Sequence, residues 1–268
     1  MSLTVVPIGG LCNRLRALLS AKYLSEQTQL QIRVEWGSDA ECKAWFDDLF
    51  MPIDTQYFGV SKRPVWNVPA RKRNLFIPTF IRSIVGGYKL QHDCYRPHSE
   101  SPLPIETWRQ GKHYLSTGYA FYPYPKSKVL ELCLQPHLQS QVDAICKNFA
   151  SYTVGVHIRR TDNVKSILNS PIQAFKDAIE NEIKNNANVL FFLATDDEDL
   201  KSQLQSDYPN RFITQRTCVR RDTLQGINEA VVDLYCLAST HKLLGSYWSS
   251  FTDTAAEIGQ MPVEIIKM

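Results

Sequence analysis

The feature that most limits how this chain can fold stands at its start. Residues 2–8 form an apolar, β-rich run, Gly9-Gly10 breaks it, and a helical pattern follows from about Asn13 to Gln27. Leu15, Leu18, Leu19 and Tyr23 recur there at helical spacing, and Leu30–Trp36 reads as a second strand. Strand, glycine turn, helix and strand make a βαβ unit, and such a unit opens a parallel sheet with helices against it. The start is thus a core strand and its turn, with no basic leader region.

The same alternation returns in the second half. Helices are expected over 138–149, 172–184, 197–204, 224–239 and 251–259, and strands over 152–158, 189–195, 211–214, 242–245 and 263–266. The strands are almost wholly apolar, as strands buried on both faces must be. Residues 41–50 read as another short helix. From Met51 to about Lys128, proline, aromatic and basic residues blur the pattern, and this segment is read as irregular. The fold class is therefore α/β. A boundary near residue 140 separates an N-terminal α/β domain, 1–140, from a C-terminal Rossmann-like domain, 141–268. Two such units would face a cleft near the carboxyl ends of their strands.

Charge and cysteine usage narrow the function classes. Thirty basic and 27 acidic residues leave a formal charge of +3, too little for a nucleic-acid coat, so an anion site must be local. Seven cysteines are scattered without a C-x-x-C pair, which reads as free thiols in a reducing compartment. No apolar stretch approaches the roughly 20 residues of a membrane span.

Four segments carry chemistry. In Val154-Gly155-Val156-His157-Ile158-Arg159-Arg160-Thr161-Asp162 a buried strand delivers two arginines and an aspartate to its carboxyl end. Guanidinium forks suit phosphate because they donate paired hydrogen bonds and keep their charge. A surface Arg–Asp pair is the plain alternative. Gly245-Ser246-Tyr247-Trp248-Ser249-Ser250-Phe251-Thr252 links a strand to a helix, where amides and hydroxyls form either an anion site or a simple N-cap. Asp233 interrupts the apolar run of a helix. Its carboxylate can accept from the N1–H and amine of guanine, or pair with a buried cation. In Gly9-Gly10-Leu11-Cys12-Asn13-Arg14-Leu15-Arg16 the glycines allow close backbone approach, and Asn13 can cap the helix.

Other groups read more plainly. Asp196-Asp197-Glu198-Asp199 mimics a metal-binding D-x-D but opens a helix, so capping is preferred. The histidines show no zinc-ligand spacing, and neither a P-loop nor G-x-G-x-x-G occurs. The basic stretch from Lys62-Arg63 to Arg71-Lys72-Arg73, interleaved with Trp66, reads as a solvated loop, with peripheral contact to a membrane surface as the alternative.

Together these segments resemble the fucosyltransferase superfamily, which includes bacterial nodulation fucosyltransferases, core α1,6-fucosyltransferases and, more distantly, α1,2- and protein O-fucosyltransferases. The resemblance covers residues 8–20 and much of 152–259. His157-Ile158-Arg159-Arg160-Thr161-Asp162 is similar to the first motif, Ala194-Thr195-Asp196-Asp197 with the Asp233 helix to the second, and Trp248-Ser249-Ser250-Phe251 to the third. It implies a GT-B-like architecture of two Rossmann-like domains, with the donor bound mainly by the second and the acceptor side in the first. It further implies metal-independent, inverting transfer from GDP-fucose, with no cofactor.

Carried over by residue, the resemblance implies that His157 and Asp233 contact guanine or ribose and that Arg159 holds the diphosphate. Arg160 would be the leaving-group arginine, with Thr195, Asp196, Ser249 and Ser250 lining the nucleotide site. Gly10, Asn13 and Arg14 would approach the diphosphate or acceptor from the first domain. The core-fucosylating branch has a lysine and a glutamate after the arginines where this chain has Asn163 and Ile167. The general base is open, with Asp162 a candidate. The partners expected are a GDP-sugar donor and an oligosaccharide or lipid-linked acceptor. The expected setting is a bacterial cytoplasm, with the inner-membrane surface as its peripheral variant. Another GDP-sugar, or a binding module that has lost catalysis, are the alternatives.

Overall fold

The computed structural model describes residues 2–70, 78–97, 105–161, 163–215 and 220–268, with only the backbone of Thr107. The chain forms two compact units, one of residues 1–135 with 221–227 and the other of 136–220 with 228–268. The first break between the units follows Gln135. The return of 221–227 to the first unit has no counterpart in the sequence reading.

The first unit holds a five-stranded parallel sheet in the order β3-β2-β1-β5-β4. Its strands are β1 (Ser2–Pro7), β2 (Gln31–Trp36), β3 (Phe58–Lys62), β4 (Leu90–Tyr95) and β5 (Lys112–Thr117). The helices are α1 (Leu11–Thr28), α2 (Phe46–Leu49), α3 (Thr79–Gly86) and α4 (Ile105–Trp108). The second unit repeats the plan as β10-β9-β6-β7-β8. Its strands are β6 (Thr153–Ile158), β7 (Leu190–Thr195), β8 (Phe212–Ile213), β9 (Lys242–Ser246) and β10 (Val263–Ile266). Helices α5 (Pro136–Cys146), α6 (Val164–Asn169), α7 (Ile172–Asn185), α8 (Glu198–Asp207) and α10 (Ser250–Gly259) belong to it, while α9 (Leu224–Ala238) starts in the first unit and continues into the second.

The expectation of an irregular 51–128 is corrected, since β3, β4 and β5 all lie within it. Strand β5, interior between β1 and β4, escaped notice because its sequence, Lys-His-Tyr-Leu-Ser-Thr, holds one aliphatic residue. It can sit in a core because most of its polar groups are paired, the exceptions being His113 Nδ1 and the Tyr114 hydroxyl, which are buried without a hydrogen-bond partner. His113 Nε2 lies 2.9 Å from Gln110 O, Thr117 Oγ1 donates to Tyr95 O at 2.8 Å, and Ser116 Oγ accepts from Cys94 N at 2.8 Å. The Arg82 guanidinium lies 4.0 Å over the Tyr114 ring. The solvated-loop reading of the basic stretch changes too. Lys62 Nζ lies over the Trp45 ring, and Arg63, largely buried, pairs with Asp39 at 3.4 Å. Arg71, Lys72 and Arg73 lie outside the described residues.

The second unit's core is the apolar sequence pattern made solid. Val154, Val156, Ile158, Phe191, Leu193 and Leu244 from the strands pack with Phe175, Ile179, Leu200 and Leu204 from the helices. Such a rigid sheet fixes whatever leaves the carboxyl ends of its strands.

Candidate nucleotide-sugar site

In the second unit the chain leaves β6 toward β7 on one side and later returns as β9 on the other. The carboxyl ends of β6 and β9 therefore flank the switch point, where open α/β sheets bind ligands. Arg159 and Arg160 follow β6, Asp196 follows β7, and the Ser246–Ser250 turn follows β9. The structure brings these residues together.

Asp196 organises the group. One carboxylate oxygen accepts from the Arg160 amide at 2.7 Å, and the other from the Thr161 hydroxyl at 2.6 Å and the Thr161 amide at 3.3 Å. Arg159 Nη1 pairs with the same carboxylate at 3.0 Å. Burial alone would push this carboxyl up, but Arg159 and the donors outweigh it and hold it below the usual carboxylate range. Thr195 caps the same turn, its hydroxyl accepting from the Asp197 amide at 3.3 Å. Asp197 caps α8 through the Leu200 amide at 3.0 Å, so the acidic run acts in part as helix capping.

The two arginines are held differently. The Arg159 amide donates to Ser246 Oγ at 3.0 Å, which locks β6 to β9 at their carboxyl ends. Arg160 reaches to α6 and donates to Ser170 O at 2.6 Å and Ile167 O at 3.4 Å. Its Nε is buried without a partner. Burial lowers the Arg160 pKa, against the pull of Asp196 and Asp197. A guanidinium has five N–H donors, and the two carbonyl bonds engage only two of them.

The serine turn has an open helix end. Ser249 is the N-cap of α10, yet its side chain makes no capping bond. The first amides of a ten-residue helix are thus left without the partner a serine N-cap normally supplies, in the position where anions bind. Trp248 before it adopts φ 55°, a left-handed conformation uncommon for a bulky residue. Its ring is exposed under the Lys165 ammonium, 4.6 Å from the ring centroid. Ser249 is buried and Ser250 half-buried.

His157 is buried against α10, with Nδ1 2.8 Å from Thr252 Oγ1 and its ring stacked 4.8 Å from Phe251. Burial, with Arg159 adding to it, lowers its pKa to about 3, so the imidazole is neutral. Asp233 is buried in α9 and accepts from Gln215 Nε2 at 2.6 Å, and burial raises its pKa to about 7. Its partner in the structure is therefore a side-chain amide, where the sequence reading had set a salt bridge against a guanine contact. Asp162 lies outside the described residues.

In the first unit, Gly9 and Gly10 follow β1 at its own switch point with β5. Gly10 is the N-cap of α1, so Asn13 stands within the first turn and is not the cap expected. Gly9 has φ 86°, and a Cβ there would meet the Asn13 side chain at 3.0 Å. Arg14 is fully buried: Nε donates to Gly9 O at 2.7 Å, Nη1 to Gly37 O, and Nη2 pairs with Asp39 at 2.6 Å. The resemblance turned Arg14 toward the diphosphate or acceptor, but these bonds make it the internal brace of the glycine turn.

Sequence reasoning missed Ser246, Thr252, Gln215 and the Ser170 carbonyl. Thr252 and Ser246 stood inside the serine-rich segment, but Gln215 and Ser170 carry no sequence signal. Among the described residues no group of three potential metal ligands occurs.

No known family profile matches this sequence, and no curated protein sequence does. The fold does match solved structures. NodZ alpha-1,6-fucosyltransferase soaked with GDP-fucose aligns over 96% of this chain and 92% of its own, at 16% identity and TM-score 0.63. NodZ from Bradyrhizobium aligns at TM-score 0.62 and 16% identity, over 94% and 92%. FUT1 of Arabidopsis thaliana, in complex with GDP, aligns at TM-score 0.62 and 14% identity over 98% of this chain and 69% of its own. POFUT1 with GDP-fucose aligns at TM-score 0.56 and 12% identity, over 99% and 97%. The chain has the GT-B-like α/β fold of these fucosyltransferases.

Proposed function

We propose that this protein is an inverting, metal-independent glycosyltransferase that moves fucose from GDP-fucose to a glycan acceptor. The observation that carries the reading is that Arg159 and Arg160 leave the carboxyl end of β6, with the Arg159 amide bonded to Ser246 a few residues before the uncapped N-terminus of α10, at the switch point of a fold shared with a GDP-fucose-soaked protein. Two guanidinium groups and a helix N-terminus form a site for a diphosphate.

In this reading Arg159, oriented by Asp196, and the Ser249–Ser250 turn hold the diphosphate. The acceptor oxygen attacks the anomeric carbon from the face opposite the leaving group, and the carbon–oxygen bond to the β-phosphate breaks. That step turns a β-linked donor into an α-linked product. The negative charge gathers on the departing GDP, where the spare donors of Arg160 stabilise it. Arg160 suits this because its two carbonyl bonds fix the guanidinium before the charge develops. The acceptor proton passes to a base, for which Asp162 is the candidate. Neutral His157 packs behind the site, and buried Asp233 is the candidate guanine partner, exchanging Gln215 for the base. The acceptor is an oligosaccharide or lipid-linked glycan, and the setting cytoplasmic.

The test is GDP-fucose hydrolysis and GDP binding by wild type and Arg160→Ala, with and without EDTA. Wild-type turnover that survives EDTA and is lost in Arg160→Ala supports the reading. GDP binding without turnover points to a binding module, and turnover of a different GDP-sugar to another donor. Absence of both binding and turnover overturns it.

A further inference from the structure

Helix α3 is built inside out. Its one charged residue, Arg82, is fully buried, while Phe80, Ile81, Ile84 and Val85 are exposed at 63%, 36%, 78% and 56%. In an ordinary surface helix the apolar stripe faces the core and the charged residues face water. Here the inward side is tied down by polar bonds. Arg82 Nε donates to Gln91 Oε1 at 2.5 Å, Nη1 to Val68 O at 3.3 Å and Asp93 Oδ1 at 3.1 Å, and Nη2 pairs with Asp93 Oδ2. Gln91 in turn donates to Thr79 O at 3.0 Å and to Ser83 Oγ. Rolling the helix to bury its apolar side would strip a buried guanidinium of these partners. The outward apolar face is therefore fixed by the fold.

The charged side chains described at the carboxyl end of this helix, Lys89 and Lys112, are both positive. α3 contains no acidic residue. At its carboxyl end Lys112 Nζ donates to Gly86 O at 3.1 Å, and the Lys89 amide donates to Lys112 O at 2.7 Å, with both lysines exposed. Leu90, 39% exposed, follows directly. Five apolar side chains are few for a protein partner, since a stable interface engages about 20–30 residues a side. They suit an interfacial helix, which needs apolar residues to enter the acyl boundary and cations to meet anionic headgroups.

We infer that α3 is a membrane-surface contact: Phe80, Ile84 and Val85 enter an anionic bilayer, while Lys89 and Lys112 meet its headgroups. This does not depend on the function proposed above. It is distinct from the basic stretch read in the sequence, because it rests on the inverted helix. Among the described residues no helix is long and apolar enough to cross a membrane, so the contact is peripheral.

Flotation with vesicles of equal parts phosphatidylglycerol and phosphatidylcholine tests it, with pure phosphatidylcholine vesicles as the comparison. Wild type is expected to float with the anionic vesicles and less with the neutral ones. The double variant Phe80→Ser, Ile84→Ser should lose roughly ten-fold in bound fraction, since the apolar half of a two-part anchor is gone. Lys89→Glu should lose several-fold on anionic vesicles alone. Both variants alter exposed side chains, so circular dichroism, Tm and vesicle-free GDP-fucose hydrolysis should match wild type. Equal flotation of wild type and the double variant overturns the proposal, as does failure of wild type to float. A wild-type dimer that becomes monomeric in the double variant also overturns it, by assigning the face to a second copy.

Discussion

His157 Nδ1 lies 2.8 Å from Thr252 Oγ1, a buried bond that joins the strand delivering Arg159 and Arg160 to the helix whose first amides lie open. The bond needs Gly245 between them. A Cβ on Gly245 would come within 2.1 Å of Thr252 Cγ2, so a side chain there would push α10 away from β6. Gly245→Ala should cost about 1–3 kcal/mol, as overpacked cores do. Thr252→Val keeps the shape but leaves Nδ1 buried without its hydroxyl partner, at a cost of about 1–3 kcal/mol. Urea unfolding of the two variants measures both. Wild-type stability in either would remove the strand–helix lock.

Arg160 and Arg159 should separate in kinetics. Arg160 is held by the Ser170 and Ile167 carbonyls, and its assigned work begins only as charge leaves with GDP. Arg160→Ala should therefore lower kcat for GDP-fucose turnover by about 10²–10³-fold, as loss of one transition-state donor does, with GDP affinity little changed. Arg159→Ala should instead weaken GDP binding. Titration calorimetry with GDP and steady-state turnover together give the split. Equal loss of affinity in both variants would merge the two roles.

Asp196 is expected to be structural first. Its carboxylate collects two amides, a hydroxyl and a guanidinium, at 8% side-chain exposure. Removing it leaves Arg159 largely buried without that charge partner and the Arg160–Thr161 turn without an acceptor. Asp196→Ala should cost roughly 3–5 kcal/mol, the range for a broken buried pair. Asp196→Asn keeps one acceptor and should cost less. Thermal unfolding without any nucleotide reads this loss, since it does not need the ligand.

How far the sequence reached depends on what the core is made of. The second unit was legible because its strands are continuous apolar runs and the 3.6-residue pattern of its helices is clear. Strands β4 and β5 were not, because Asp93 and Ser116 bond each other while His113 and Thr117 bond the Gln110 and Tyr95 carbonyls, and no periodicity reports such bonds. At the site, the strand-end motifs marked Arg159, Arg160 and Asp196 singly, but the ion pair between Arg159 and Asp196 joins the ends of two strands and was not read from the sequence. The burial of Arg14 was not legible, because nothing beside the glycine turn marks the groups that hold its guanidinium. Its partners Gly37 O and Asp39 stand more than 20 residues away. Side-chain acceptors contributed from distant loops, such as Gln215 for Asp233, leave no local trace.

The stability of this protein should carry two opposed pH windows. Burial raises the Asp233 pKa from its ordinary 3.8 to about 7, so between these values the folded chain binds more protons than the unfolded one. Stability from Asp233 is present below about pH 4 and is lost as pH rises through 7. His157 runs the other way. Burial lowers its pKa from 6.5 to about 3, so its share of stability is present above pH 6.5 and lost as pH falls toward 3. Asp233→Asn keeps an oxygen to accept from Gln215 but cannot ionise. It should therefore be more stable than wild type at pH 8 and close to wild type at pH 4. Tm profiles of the two proteins across pH 4–8 would show curves converging in acid. Parallel curves would mean that Asp233 keeps its ordinary pKa, and that its carboxylate is already ionised when a nucleotide arrives.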